Sequence, residues 1–486
     1  MNRKQTKRTK FIRFIMIVAF GFFVTACSTN PVTGQQDFVM MSENQELDLG
    51  RQYHQQVLRQ YKEYKNPPLQ QYVNEIGQKL ASQSHRSNLI FRFYLLDSPE
   101  VNAFAVPGGY IYITRGIMAY MQDEAQLAGV IGHEIGHVTA RHGVRQHAQS
   151  QLAGLLGEAV AIGTGNRQAA ELSNVLGGAI VRGYGRAHEL ESDRLGAEYL
   201  AKSGYDSKKM IEVVGILKDQ ELASRARAKA EGRPTVSYHG LFSTHPRNDI
   251  RLKQVVAEAE KYESPQKNTN NSAKFMRLMN NVTYGDSEDQ GIVIGNRFYH
   301  KELNFHLQFP EGWIIQNQPS QIVAQDPKTR HGIIVQLQDL NRKESAQRFL
   351  QNKFSRFRSG RAVETSEDQA YAGQAIVGQQ QRNAVVGTVY RGNRAFILVG
   401  LGDNQVLPGD ALINTMKSLR KLKASERAIA SEKKITVIRA KQGDTFARLA
   451  KASSRLGNYA EQELRLLNGM FPSGEPKPGQ LIKVIR

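Results

Sequence analysis

The stretch Ala125-Gln126-Leu127-Ala128-Gly129-Val130-Ile131-Gly132-His133-Glu134-Ile135-Gly136-His137-Val138-Thr139-Ala140 spaces its apolar residues at helical intervals and sets two histidines four residues apart. On an amphipathic helix His133 and His137 share one face about a turn apart, close enough to bind one metal ion. Glu134 projects about 100° around the helix from His133, where it reaches a water on the metal without displacing a ligand. Asp123-Glu124 stands at the favourable N-terminal end. Imidazole nitrogen joined by a carboxylate suits zinc, and a catalytic zinc keeps one position open. One Zn²⁺ per chain is expected. It would lower the pKa of a water to about 7, so that Glu134 can take its proton and pass it to a leaving amine. This is the chemistry of peptide-bond hydrolysis.

A third protein ligand is required, and the candidates lie in Glu189-Leu190-Glu191-Ser192-Asp193. Glu189 and Asp193 are four apart on a second helix, so one can ligate while the other supports the site as a hydrogen-bond acceptor. Glu191 then points elsewhere. The plain alternative is that all three acids form a solvated face. His142, His147 and His188 match no ligand position and read as ordinary polar helix residues.

Outward from this centre the chain of 486 residues exceeds what one hydrophobic core usually organises, so a multidomain protein is expected. Apolar residues at 40% and charged residues at 23% are ordinary globular usage. Residues 1–26 read as a lipoprotein signal peptide. Arg3, Lys4, Lys7, Arg8, Lys10 and Arg13 precede an apolar run too short to span a bilayer comfortably. Val24-Thr25-Ala26-Cys27 resembles a bacterial lipobox, and Cys27 is the only cysteine, which makes it the expected lipidation site. An ordinary secretory signal with an incidental cysteine is the alternative. Ser28 after the cysteine favours the outer membrane. The net charge of +20 loses only six charges with the leader, so the remaining surface suits anionic envelope partners, and nucleic acid is not expected there.

Residues 27–41 read as a tether and 42–262 as a mainly α-helical domain carrying a small β-sheet. The sheet is drawn from 91–96 and 103–114, with Pro107-Gly108-Gly109 as a turn. Residues 152–163 are apolar and rich in small residues, but Glu158 and the length favour a buried or lid-like helix over a membrane span. Asn, Ser, Lys and Asp dominate 263–290, a linker composition. Residues 291–420 alternate strand-like and helical runs, giving an α+β module without a catalytic constellation. A charged linker at 421–434 leads to a small strand-helix-helix-strand unit at 435–486.

Several blocks together are similar to the bacterial zinc metallopeptidases of the HtpX and BepA type, HExxH enzymes related to the prenyl-protein (CAAX) peptidases. The resemblance runs over about residues 30–259. It is carried by His133-Glu134-Ile135-Gly136-His137, Glu189 with Asp193, Asn30-Pro31-Val32-Thr33-Gly34, and Asn102-Ala103-Phe104-Ala105-Val106-Pro107-Gly108-Gly109. It implies His133, His137 and Glu189 as zinc ligands, with Asp193 supporting. It also implies that the strand of Asn102, Ala103 and Phe104 takes an extended substrate as an added strand. Ser243-Thr244-His245-Pro246, with Arg251 beyond, resembles a later His-Pro block near the active site. There His245 stabilises the oxyanion or caps the zinc, unless it is simply a loop histidine.

The terminal unit resembles a LysM module through Gly443-Asp444-Thr445, Asn468 and Pro478-Gly479-Gln480-Leu481, although Phe446 replaces an aliphatic residue and the middle is longer. A LysM module implies binding of N-acetylglucosamine glycans, here peptidoglycan. The resulting expectation is a zinc endopeptidase at the periplasmic face of the outer membrane that cleaves unfolded or misassembled envelope proteins. The competing readings are a zinc-bearing chaperone or assembly factor for outer-membrane proteins, and a peptidoglycan-directed hydrolase.

Overall fold

The computed structural model describes residues 27–39, 41–149, 184–232 and 270–486, except 319, 330, 341–342, 368, 379–380 and 403–406. Among the described residues no helix is long and apolar enough to cross a membrane. The chain opens with a small hairpin of β1 (Cys27–Thr29) and β2 (Gln36–Phe38), Cys27 opposite Phe38. Asn30 shapes the turn, its Oδ1 accepting from the Val32 N–H at 2.8 Å and its carbonyl from the Gly34 N–H at 2.9 Å.

Two helices follow, each started by its own sequence. Ser42 and Gln45 form a capping box on α1 (Glu43–Gln60), and Asn66 caps α2 (Pro67–Ala81), whose leading prolines suit a first helical turn. Next come β3 (Arg92–Leu96), β4 (Ala103–Val106) and β5 (Tyr110–Thr114) in the order β3-β5-β4, with β3 parallel and β4 antiparallel to β5. β5 is central and buried at all five positions. β4 takes the outer position.

After α3 (Arg115–Tyr120) comes α4 (Glu124–Thr139), which holds both histidines of the motif. An amphipathic helix was expected there, yet every residue of α4 is buried. The helix runs through the middle of the region, covered by α2, by β4 and by the helices α5 (Arg186–Lys202) and α6 (Lys209–Ala230). A helix enclosed on all sides needs partners for its polar groups. Glu124 accepts from the Tyr72 hydroxyl at 2.6 Å, the Tyr205 hydroxyl at 2.8 Å and the Asn271 amide at 2.8 Å. Asp123 caps the helix through the Gln126 N–H at 2.9 Å.

Downstream lie α7 (Ser272–Met279) and β6 (Thr283–Tyr284), then a three-stranded antiparallel sheet of β7 (Ile292–Ile294), β8 (Arg297–His300) and β9 (Phe305–Gln308). A larger antiparallel sheet is built from β10 (Ile314–Gln318), β11 (Gln321–Gln325), β12 (Gly332–Asp339), β13 (Phe357–Ala362), β14 (Gln369–Val377), β15 (Arg382–Arg391) and β16 (Arg394–Leu401). Its order is β10-β11-β12-β16-β15-β14-β13. Two helices cover it in separate apolar clusters: α8 (Ala346–Lys353) through Phe349 and Leu350, and α9 (Gly409–Lys417) through Leu412 and Met416.

After α10 (Ala424–Ile429) the terminal unit runs β17 (Lys433–Arg439), α11 (Phe446–Ala452), α12 (Ala460–Leu467) and β18 (Leu481–Ile485). Its strands pair antiparallel, and β6 adds to the other side of β17, giving the order β18-β17-β6.

The stretch expected as a linker is therefore, over its described part, built into the fold. Phe275, Met276 and Met279 are buried on one face of α7, in the same apolar cluster as Leu127 and Ile131 of α4. The polar run at 263–271 dominated the composition and masked a helical spacing just after it. The terminal unit also shares that cluster, through Phe446, Leu464, Leu467 and Ile485. Polar contacts reinforce the joint. Lys483 is wholly buried and donates to the carbonyls of Ala119 at 2.5 Å and Met121 at 2.6 Å. Glu463 accepts from the hydroxyls of Tyr120 at 2.7 Å and Tyr284 at 2.5 Å and pairs with Arg227.

Candidate active site

The site forms where α4 crosses α5, and small residues set how close the two helices come. A methyl group placed on Gly136 would lie 2.7 Å from Ser192 Oγ and 2.9 Å from its carbonyl oxygen. One on Gly196 would lie 3.0 Å from the His133 amide nitrogen. Gly132 and Gly136 on one helix thus face Ser192 and Gly196 on the other, and the backbones touch. The sequence carries this signal as small residues spaced by four on both helices, and it was not recognised there.

The crossing carries the acids of α5 to the histidines of α4. Glu189 Oε1 is 3.5 Å from His137 Nε2, Glu189 Oε2 is 3.6 Å from His133 Nε2, and the two Nε2 atoms are 3.0 Å apart. The three ligand atoms lie within 4.8 Å of one another, a spacing one metal ion can bridge. Asp193 Oδ1 instead meets His133 Nδ1, at 2.8 Å. Glu189 and Asp193 are 0% and 2% exposed, so these acids do not form a solvated face. Two imidazole nitrogens and a carboxylate, with a second carboxylate behind one ring, fit zinc. Glu134 is buried one residue along from His133 on the same helix.

Two of the neighbouring histidines depart from the sequence expectation. His142 is fully buried, with Nδ1 2.8 Å from His137 Nδ1 and Nε2 3.0 Å from Glu191 Oε2, so it is no ordinary polar helix residue. The reason is a reversal after α4, where Arg141 adopts φ 55° and turns the helical stretch 142–149 back beneath the site. Burial pushes the His142 imidazole towards its neutral form. Burial also disfavours ionised Glu191, but hydrogen bonds from His142 and Arg145, with the charge of Arg145, outweigh it and hold that carboxyl at about 2. His188 stacks on His142 with ring centres 4.3 Å apart. Burial, aided by the charge of Arg145, lowers it to about 4. His147 is half-buried and outside the cluster.

Tyr184, which sequence reasoning passed over, stacks on His137 at 4.1 Å. Burial raises its phenol, and the charges of Glu134 and Glu189 raise it further. Ala105, Val106 and Pro107 line a small cleft together with His137 and Tyr184, so the later half of β4 borders the site. The start of that strand is fastened to β5. The Asn102 carbonyl accepts from Thr114 N at 3.1 Å and Thr114 Oγ1 at 2.7 Å, Ala103 is buried, and Phe104 stacks on Tyr112 at 4.8 Å. His245, Arg251 and residues 152–163 lie outside the described residues, and Cys27 is described through its backbone only.

Residues 67–259 match peptidase family M48. The M48 match contains His133, Glu134, His137, Glu189 and Asp193 and ends before α7. The β-barrel assembly-enhancing protease of Escherichia coli K12 is 30% identical over 262 residues, covering 51% of this chain and 52% of that protein. Its Yersinia pestis counterpart is 31% identical over 235 residues, 46% of each chain. The mitochondrial metalloendopeptidase OMA1 of Schizosaccharomyces pombe is 24% identical over 255 residues, 51% of this chain and 72% of that one. The chain thus spans about half the length of the bacterial relatives it matches.

Proposed function

We propose that the chain is a zinc-dependent endopeptidase of the bacterial envelope that cleaves extended segments of unfolded or misassembled proteins. The observation that carries this reading is the convergence of His133, His137 and Glu189 within 4.8 Å, beside Glu134 on the same helix. When bound there, zinc supplies Lewis acidity, acidifying a water and polarising the scissile carbonyl. Glu134 takes the proton of the attacking water on its carboxylate and delivers it to the leaving amine. Asp193 accepts the Nδ1 proton of His133 and so leaves Nε2 free to ligate. β4 offers its outer edge as a track for a peptide strand, leading past Ala105 and Val106 to His137.

The name of the bacterial relatives, β-barrel assembly-enhancing protease, supports β-barrel proteins under assembly as substrates. The basic and apolar leader supports lipidation at Cys27 and attachment to the membrane. Peptidoglycan binding by the terminal unit rests on Gly443-Asp444-Thr445 and Pro478-Gly479, which lie on its surface. Asn468 of the same motif serves the fold, its amide bridging Leu464 and Lys483.

The test compares wild type with Glu134→Gln for zinc content and for cleavage of an unfolded protein such as casein. One zinc in each, with turnover reduced about 10²-fold or more in the variant, is expected. Undiminished cleavage by the variant refutes the mechanism. Release of peptidoglycan fragments with casein left intact favours a cell-wall hydrolase instead.

A further inference from the structure

We propose that His142 and Glu191 form a second support line that orients the metal ligand His137, a role resting on the zinc site proposed above. His133 is held from behind by a direct contact, Nδ1 to Asp193 at 2.8 Å. His137 is met differently at its own Nδ1. Its Nδ1 meets a second imidazole, His142 Nδ1, at 2.8 Å, and the far nitrogen of that ring reaches Glu191 Oε2 at 3.0 Å. The two ligands thus lean on different acids of α5, one directly and one through an intervening ring.

Only one arrangement of hydrogens along this line leaves His137 Nε2 free for a metal. Glu191 also receives Arg145 Nη1 at 3.1 Å, which keeps it ionised and able only to accept. His142 Nε2 must therefore carry the proton shared with Glu191. With its Nδ1 bare, His142 presents a lone pair there, to which His137 donates its own N–H. That leaves the lone pair of His137 on Nε2, the atom facing His133 Nε2 and Glu189. The opposite tautomer would place a proton where the metal must sit. Stacking fixes the planes as well, with Tyr184 on His137 at 4.1 Å and His188 on His142 at 4.3 Å.

The backbone is arranged for this contact. Arg141, in the left-handed region at φ 55°, makes the reversal that returns His142 beneath His137. That reversal is held by Arg141 Nε on Glu46 at 2.8 Å, while Arg86 donates to the same carboxylate at 2.7 Å. A strained residue retained by a buried ion network serves a position that must be kept. His142 and Glu191 touch no substrate in this scheme and act as positioning residues.

The experiment measures zinc affinity by competition with a chromophoric chelator at neutral pH. It uses the full chain and the variants His142→Leu, His142→Gln, Glu191→Ala and His142→Leu/Glu191→Ala, with His133→Ala as reference. His142→Leu should weaken zinc binding about 10- to 100-fold and Glu191→Ala by a similar or smaller factor. The double variant should lose no more than His142→Leu alone, because a line broken at one link has no second link to lose. His142→Gln can accept from His137 through its amide oxygen and donate to Glu191 through its amide nitrogen, so it should recover most of the affinity. The visible spectrum of the cobalt-substituted protein should shift in His142→Leu and return in His142→Gln, while the metal-free melting temperatures of these two variants stay together. Wild-type affinity in His142→Leu, multiplying losses in the double variant, or no recovery with Gln overturns the support line alone. Equal zinc binding by wild type and His133→Ala overturns the metal site itself.

Discussion

Ser192 Oγ donates to the carbonyl oxygen of His133 at 2.5 Å, at the crossing where Gly136 leaves no side chain between α4 and α5. This contact joins the helix of His133 and His137 to the helix of the acids. It fixes their spacing through backbone rather than through flexible side chains.

Gly136→Val tests the crossing. A branched side chain there meets Ser192 at under 3 Å, and since part of the obstacle is backbone the helices must separate. Overpacking of this kind costs about 1–3 kcal/mol. Chemical denaturation should show that loss, and zinc affinity should fall with it as Glu189 recedes from the histidines.

Asp193→Asn keeps an oxygen facing His133 Nδ1 but removes the charge that makes the imidazole a stronger donor to metal. Zinc affinity should fall about tenfold or more. Metal analysis after dialysis against a graded chelator would read this directly, with near-normal secondary structure by circular dichroism.

Lys483→Met tests whether the terminal unit is part of the peptidase region. The substitution leaves the buried carbonyls of Ala119 and Met121 without their donor, at a cost of about 1–3 kcal/mol. Because one apolar cluster spans both parts, removal of residues 435–486 should destabilise the whole region of the two crossed helices. Differential scanning calorimetry should show the melting of that region move to lower temperature in both proteins.

Glu426 should contribute a measurable acid sensitivity. Hydrogen bonds from Arg420 at 2.8 and 2.7 Å hold its carboxyl at about 2, below its ordinary 4.5. A carboxyl depressed in the folded state adds stability that is complete above about pH 4.5 and fades as pH falls through about 2. Melting temperatures followed from pH 5 downward should fall less steeply in Glu426→Gln than in wild type.

Parts of the site were legible because their geometry is local. A separation of four residues on a helix fixes His133 and His137 to one face whatever surrounds them. Tyr110 to Thr114 alternate so strongly with β-forming side chains that a strand was the natural reading. The apolar face of α7 was harder to see, since Phe275, Met276 and Met279 follow directly on a run of asparagines that dominated the local composition. The full enclosure of α4 was not legible either, because periodicity cannot report how many neighbours a helix will acquire.

The sequence by itself determined the chemistry of the first helix: two imidazoles and a carboxylate at spacings that admit one metal. It also located the acids of the second helix, without deciding between Glu189 and Asp193 except by resemblance. Tertiary structure sorted those acids, placing Glu189 at both Nε2 atoms, Asp193 at His133 Nδ1, and Glu191 behind His142. That sorting depends on the angle and closeness of a crossing between helices far apart in the chain. Glycine and serine contacts set it, and no local periodicity records them.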